Sequence, residues 1–385
     1  MAAVWHRAGW VMVEPDVWVE RGIVGISAGR IVAVERSHTR EAVRDHGPGI
    51  ILPGLVNAHS HLSLSALAGR IDPSVGLLQW VRDLIRARDD LTPTEIETAA
   101  REAAQGAKNS GTALLAEVGP VEPGAESMRR AELEGIVMHE VLGSLVNEPL
   151  LPADSDGLTF SYAGHALHTT APGLLQRAKF LSSVRGGLFS LHLAESSLER
   201  EFLANGRGEW ADLLSSRGID FSYWGPWGER PVARAARLGL LGPRTLVVHV
   251  LDVTRSDMTA LAESGTAVCV CPRSNLALHG RLPDLVGLMA AGIEPALGTD
   301  SLASAPTLNL FDEMAFCADK YPELSSRAIL RMATINGARA LGRSDLGSLR
   351  SGSSARLIYV DVQARSADEA AQMLVSNQVN RVEWI

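Results

Sequence analysis

Apolar runs recur along the whole chain, and their spacing changes near residue 50. Over the first fifty residues the runs are brief: Gly9-Trp-Val-Met-Val13, Val17-Trp-Val-Glu20, Gly22-Ile-Val-Gly-Ile26 and Arg30-Ile-Val-Ala-Val34. Turn residues such as Ala28-Gly29 punctuate them, which predicts a small antiparallel unit. Beyond this point the runs are separated by long amphipathic stretches. They predict eight strands, at 51–58, 112–119, 135–142, 158–165, 188–193, 245–250, 266–271 and 293–299. Strands alternating with helices over this length predict an α/β chain folded as a (β/α)8 TIM-type barrel. One helix start is explicit. Thr92-Pro93-Thr94-Glu95 offers an N-cap hydroxyl, a proline at the first helical position and a glutamate that can reach back, and the pattern runs to Ser110-Gly111. Near the C-terminus the strand style returns, at Ala355–Asp361 and Val382–Ile385.

Several of the predicted strands end in the same kind of residue. The first runs into His59-Ser60-His61, the fifth into His192 with Glu195 three positions on, the sixth into His249 and the eighth into Asp300. Side chains two apart on a strand share a face, so His59 and His61 can close on one cation. Imidazole suits zinc, iron or copper better than magnesium or calcium. Any one of these histidines could simply pack in a core. Four separate apolar strands that all end in such residues are harder to explain that way, because barrel sites are built at the C-terminal ends of the strands.

Composition narrows the setting. A chain of 385 residues that is 46% hydrophobic can bury a large core, and a net charge of −8 without a basic cluster speaks against nucleic acid as a partner. No apolar run approaches the ~20 residues that span a bilayer, and MAAVWHRAGWVMVEP lacks the pattern of a signal peptide. The three cysteines, an odd number, build no disulfide framework, and Cys269 and Cys271 read as small core residues. The expectation is a reduced, cytoplasmic protein acting on a small molecule, with no membrane partner and with a homodimer left open.

The motifs PGLVNAHSHL (53–62), LHLAES (191–196), VVHV (247–250), CPRSNLAL (271–278) and LGTDSLAS (297–304) resemble the amidohydrolase superfamily over nearly the whole chain. Within it, the chain looks most like the branch of adenosine-type and aminofutalosine deaminases and related chlorohydrolases. The resemblance implies that residues 1–50 and 345–385 form one β-sandwich and that 51–344 form the barrel. It also implies that His59, His61, His192 and Asp300 ligate one divalent metal, zinc first and iron next. Glu195 and His249 would be the proton-transfer pair, with Asp300 sharing in the chemistry. Two-metal relatives bridge their ions with a lysine or acid after strand 4. Residues 159–170 hold neither, so one metal per chain is expected.

Four residues are candidates for substrate contact. His168 stands where the resembled deaminases carry a pocket histidine, while His165 reads as structural. Trp80 lies in a segment, LLQWVRDLIRAR, that resembles the aminofutalosine branch, although helix packing explains it equally. Arg273 and Asn275 follow strand 7, within reach of a substrate carboxylate or ribose, although a surface salt bridge explains Arg273 at least as well. Ser63 departs from the acidic residue of that branch and leaves the substrate open. The expected reaction is deamination of an adenine-bearing nucleoside, with 6-amino-6-deoxyfutalosine, a menaquinone precursor, first. S-adenosylhomocysteine, 5′-methylthioadenosine and adenosine are the near alternatives. A ring-amide or triazine hydrolase is a second class, and a barrel that has lost its metal a third. Glu195 favours a reaction that protonates a ring nitrogen.

Overall fold

The computed structural model describes residues 2–36, 43–144, 149–379 and 381–385. Seven short strands come first: β1 (Val4–Arg7), β2 (Trp10–Glu14), β3 (Val17–Glu20), β4 (Gly22–Ser27), β5 (Arg30–Arg36), β6 (Val43–Asp45) and β7 (Ile50–Pro53). Eight strands follow, with a helix among the described residues of every interval except that between β10 and β11: β8 (Leu55–Ser60), β9 (Thr112–Gly119), β10 (Glu134–Val141), β11 (Leu158–Ala166), β12 (Phe189–Leu193), β13 (Thr245–His249), β14 (Ala267–Val270) and β15 (Ala296–Leu297). The last two are β16 (Leu357–Val360) and β17 (Val382–Trp384).

The chain separates into two compact units. One comprises Met1–Ala58, Gly106–Leu115 and Asn309–Ile385. It contains a four-stranded sheet of order β5-β4-β1-β6 and a five-stranded sheet of order β17-β16-β7-β2-β3. Ala8, Val11, Val24, Ile31, Ile51, Leu357 and Tyr359 form a buried core of this unit, so residues from both ends of the chain are packed together. Antiparallel pairing of Ile358 with Leu52 and of Tyr359 with Ile51 sets the register between those ends.

The other unit comprises His59–Gln105 and Ala116–Leu308. The strands β8 to β15 form one sheet in sequential order, nearly closed into a barrel, with helices between them. β9 is buried at every position, as a strand covered on both faces must be. Closure comes from the loop after β15. The amides of Thr299 and Asp300 both donate to His59 O at 3.1 Å, and Ser60 bridges Asp300 in parallel. Among the described residues no helix is long and apolar enough to cross a membrane.

The predicted first barrel strand, 51–58, is two strands. At Gly54 the backbone changes partners: Gly54 N donates to Arg356 O and Leu55 N to Gly111 O. A continuous apolar run cannot reveal that break, because both halves are buried. The predicted strand 293–299 shrinks to Ala296–Leu297, held between Pro295, which has no amide to donate, and Gly298. The helix Pro93–Asn109 starts as its capping signal predicts. Glu95 N donates to Thr92 Oγ1 at 3.3 Å, and Thr92 N donates to Glu95 Oε2 at 2.9 Å.

Gly298 has no room for a side chain. A Cβ there would lie 2.8 Å from both Cys269 Sγ and His59 Cβ, and 3.0 Å from His59 N. Gly298→Ala is therefore expected to destabilise the protein by about 1–3 kcal/mol, as overpacking does. A urea melt reads this directly, and an unchanged midpoint would show that the strand end relaxes without loss.

Candidate active site

Parallel strands deliver their C-terminal ends to one mouth, and the polar residues of the sequence pattern lie there. His59 is in β8 and His61 just follows it, His192 is in β12, His249 is the last residue of β13, and Asp300 lies three residues past β15. All five are buried. His59 Nε2 and His192 Nε2 face each other at 3.2 Å. Asp300 Oδ1 lies 3.6 Å from His61 Nε2 and 3.9 Å from His59 Nε2. Four donors around one tetrahedral zinc would stand about 3.4 Å apart. Two imidazole nitrogens at this separation can share one hydrogen or hold one cation between them.

The other ring nitrogens orient the set. His61 Nδ1 is 2.7 Å from Val118 O, and His192 Nδ1 is 2.9 Å from His165 O. A carbonyl only accepts, so both Nδ1 atoms carry the hydrogen and both Nε2 atoms present lone pairs, the usual outer support of a metal-bound histidine. Burial, joined by the neighbouring imidazoles, keeps the pKa values of His59 and His192 well below the ordinary histidine value. Burial also lowers His61, but Glu140, Asp300 and Glu117 outweigh it and raise its pKa. Burial pushes Glu117 up to about 8, against the Leu62 amide that donates to it and the nearby His61.

Glu140, His165 and His192 form a second close group of potential donors. His192 Nδ1 is committed to His165 O, so its lone pair cannot also serve there.

Asp300 divides its oxygens. Oδ2 accepts from Ser274 Oγ at 2.5 Å and from Ser304 Oγ at 3.2 Å, while Oδ1 faces the histidines. Asn275 Nδ2 lies 2.9 Å from His249 Nδ1. With the amide donating, His249 keeps its hydrogen on Nε2, which lies 3.8 Å from Glu195 Oε1. Burial would raise the Glu195 pKa, but His249 and the His279 hydrogen bond outweigh it and hold the carboxyl well below its usual range. The Glu195 backbone is fixed as well, since its amide donates to Glu199 Oε2 at 2.9 Å. Ala194, His249 and Asp300 take left-handed φ values of 52°, 78° and 60°. Such backbone costs of order 1–3 kcal/mol per residue and persists where the surroundings over-determine it.

A cavity of about 260 Å³ opens over these groups. His61, His168, His192, Glu195, His249 and Asp300 line it, and Leu77, Trp80, Val81, Leu84, Trp210 and Leu214 give it apolar walls. A second hollow of about 640 Å³ shares Ser63, Arg88 and Pro120 with it. Trp80 is anchored by its Nε1 donating to Ala303 O at 3.1 Å, and His168 packs on Trp210 with ring centroids 4.5 Å apart.

Two expected substrate contacts lie elsewhere. Arg273 is not a wall of the cavity; its guanidinium donates to Thr307 Oγ1 at 3.1 Å. Asn275 is fully buried behind His249 rather than beside a substrate. Both follow from the helix that begins at Pro272, which turns residue 273 away and residue 275 inward. His165, read as structural, lines the cavity while bonding Thr169 Oγ1 at 2.6 Å. Glu117, Glu140 and His279 were missed. The signal used for His249 finds the first two, because β9 and β10 are also apolar strands with an acid near their C-terminal ends. His279 lies on a helix, and no strand-end rule reaches it.

Similarity to known proteins extends over the whole fold. An adenosine deaminase from Xanthomonas campestris, solved with bound zinc, superposes with a TM-score of 0.80 at 26% identity, covering 100% of this chain and 92% of that one. The aminofutalosine deaminase of Helicobacter pylori, in complex with methylthio-coformycin, has the same fold with a TM-score of 0.88 at 20% identity, covering 99% and 97%. In sequence, a 5-methylthioadenosine/S-adenosylhomocysteine deaminase of Haloarcula marismortui is 30% identical over 92% of this chain and 84% of its own length. Residues 50–382 match the amidohydrolase family, and the chain is a member of that family of metal-dependent hydrolases.

Proposed function

We propose that this chain deaminates adenine nucleosides that carry a 5′ extension, using one divalent ion, zinc first, held by His59, His61, His192 and Asp300. The observation that carries the reading is the joint one: three clustered imidazoles, His59, His61 and His192, with Asp300 Oδ1 3.6 Å from His61 and 3.9 Å from His59, beside the Glu195–His249 pair and under an apolar cavity. One ion rather than two is supported by His192, whose second nitrogen is committed to a carbonyl. The relatives named as methylthioadenosine/S-adenosylhomocysteine deaminases put those substrates ahead of 6-amino-6-deoxyfutalosine, the first expectation from the motifs, which remains the next compound to test.

An ion held by His59, His61, His192 and Asp300 would supply Lewis acidity that makes water a nucleophile at neutral pH. The chain's residues handle the rest. Glu195 takes a proton from the attacking water and delivers it to ring N1, which makes C6 electrophilic. His249 Nε2–H and Asp300 steady the water oxygen as the C6–O bond forms. The C6–N6 bond then breaks, the amino group leaves as ammonia with the second proton, and the hypoxanthine form remains. Trp80, Trp210 and the leucines exclude bulk water and clamp the ring, and His168 is placed to touch it. Arg88 and Arg217, both on the cavity rim, replace Arg273 as the cations nearest a polar or anionic 5′ group.

Metal analysis should return one equivalent per chain, and chelation should abolish turnover until zinc is restored. Two tightly held ions, or none after loading, would overturn the single-ion reading.

Glu195→Gln should retain metal but lose roughly two to four orders of magnitude in kcat. Near-normal turnover in this variant would make Glu195 structural.

Substrate choice is read by the fall in adenine absorbance. kcat/KM should be highest for methylthioadenosine, S-adenosylhomocysteine or aminofutalosine, lower for adenosine and lowest for free adenine, because remote contacts position the reacting ring. A triazine or free adenine as best substrate would remove the nucleoside reading and leave the metal hydrolase.

A further inference from the structure

The helix Pro272–His279 reaches three groups of the site. Near its start, Ser274 and Asn275 bond Asp300 and His249. Its last residue reaches across to the third: His279 Nε2 lies 3.0 Å from Glu195 Oε1. Residues four apart share a helix face, so Asn275 and His279 point the same way. The contact is sheltered, with 7% of the His279 side chain and 13% of the Glu195 side chain exposed. Gly280 then closes the helix with a left-handed φ of 59°, its amide donating to Leu276 O at 2.9 Å, which holds the last turn in place. His279 is not a wall of the cavity.

We propose that His279 is a positioning residue for Glu195: its Nε2–H donates to Oε1 and fixes the carboxylate plane, so that Oε2 is the oxygen that exchanges protons. The proposal rests on the deaminase reading above. A carboxylate shuttling a proton from water to a ring nitrogen must hold one orientation through both transfers. Free rotation about its last bond would present either oxygen and lose the alignment on which proximity depends. His279 Nε2 bonds Oε1 at 3.0 Å, and His249 Nε2 faces the same oxygen from 3.8 Å. The two oxygens are thereby made unequal. Acting through Glu195 and away from the cavity, His279 affects the chemical step rather than substrate binding.

The test uses zinc-loaded wild type, His279→Ala and His279→Gln with the best nucleoside substrate. Glutamine places an amide N–H about where Nε2 lies. The alanine variant should keep its metal and KM and lose about 10–100-fold in kcat, and the glutamine variant should recover most of that loss. Wild-type kcat in the alanine variant, or equal losses in both variants, would overturn the proposal. If the wild type deaminates no adenine nucleoside, the functional reading falls by itself. Imidazole nitrogen NMR of the zinc-loaded protein then decides the contact. An Nε2–H signal at His279 that shifts in Glu195→Gln supports it, and an Nδ1–H tautomer or an unshifted signal overturns it.

Discussion

Ionisable groups packed into a dry barrel mouth are tolerated only if each is partnered, because an unpaired charge or polar group away from water is costly. That constraint explains most of what surrounds the site. His61 and His192 each give their Nδ1 hydrogen to a backbone carbonyl. Asp300 gives one oxygen to two serine hydroxyls and keeps the other for the histidines. Glu117 takes the Leu62 amide and the Ser60 hydroxyl, so an acid with an upshifted pKa braces the loop that carries His61. His61, His192 and Asp300 thus have their outward-facing atoms hydrogen-bonded, and the opposite atom of each faces the other donors.

The backbone is arranged to the same end. The amides after β15 close the barrel on His59 O and set Asp300 beside β8. Left-handed φ at Ala194, His249 and Asp300 turns the chain sharply where each strand ends, aiming the side chains that follow. The helix after β14 adds a rigid bar on which Ser274, Asn275 and His279 lie at fixed offsets. Asp300, His249 and Glu195, from three different strand ends, are thus each bonded to one element, which limits their misplacement.

The barrel strands and the polar residues at their ends were legible in the sequence because each is local. An apolar run predicts a strand, and its end predicts an address. β9 was read from Thr112 to Gly119, the range it occupies. The pattern overextends β15 at its start, because Pro295 has no amide to donate, a feature hydrophobicity does not record. Gly54 hid the change of sheet inside an apolar run, since both sides of the break are buried.

Residue type and order alone determined the α/β class, the strand-end histidines, Glu195 and Asp300, since these depend on periodicity and on which side chains can bind a metal or move a proton. Tertiary structure decided how those groups are oriented. Arg273 and Asn275 are two residues apart on one helix, yet one turns to Thr307 and the other to His249. His279 meets Glu195 across 84 residues of sequence. Such pairings follow from how the helix after β14 crosses the mouth, a consequence of packing between elements that leaves no periodic trace in the chain.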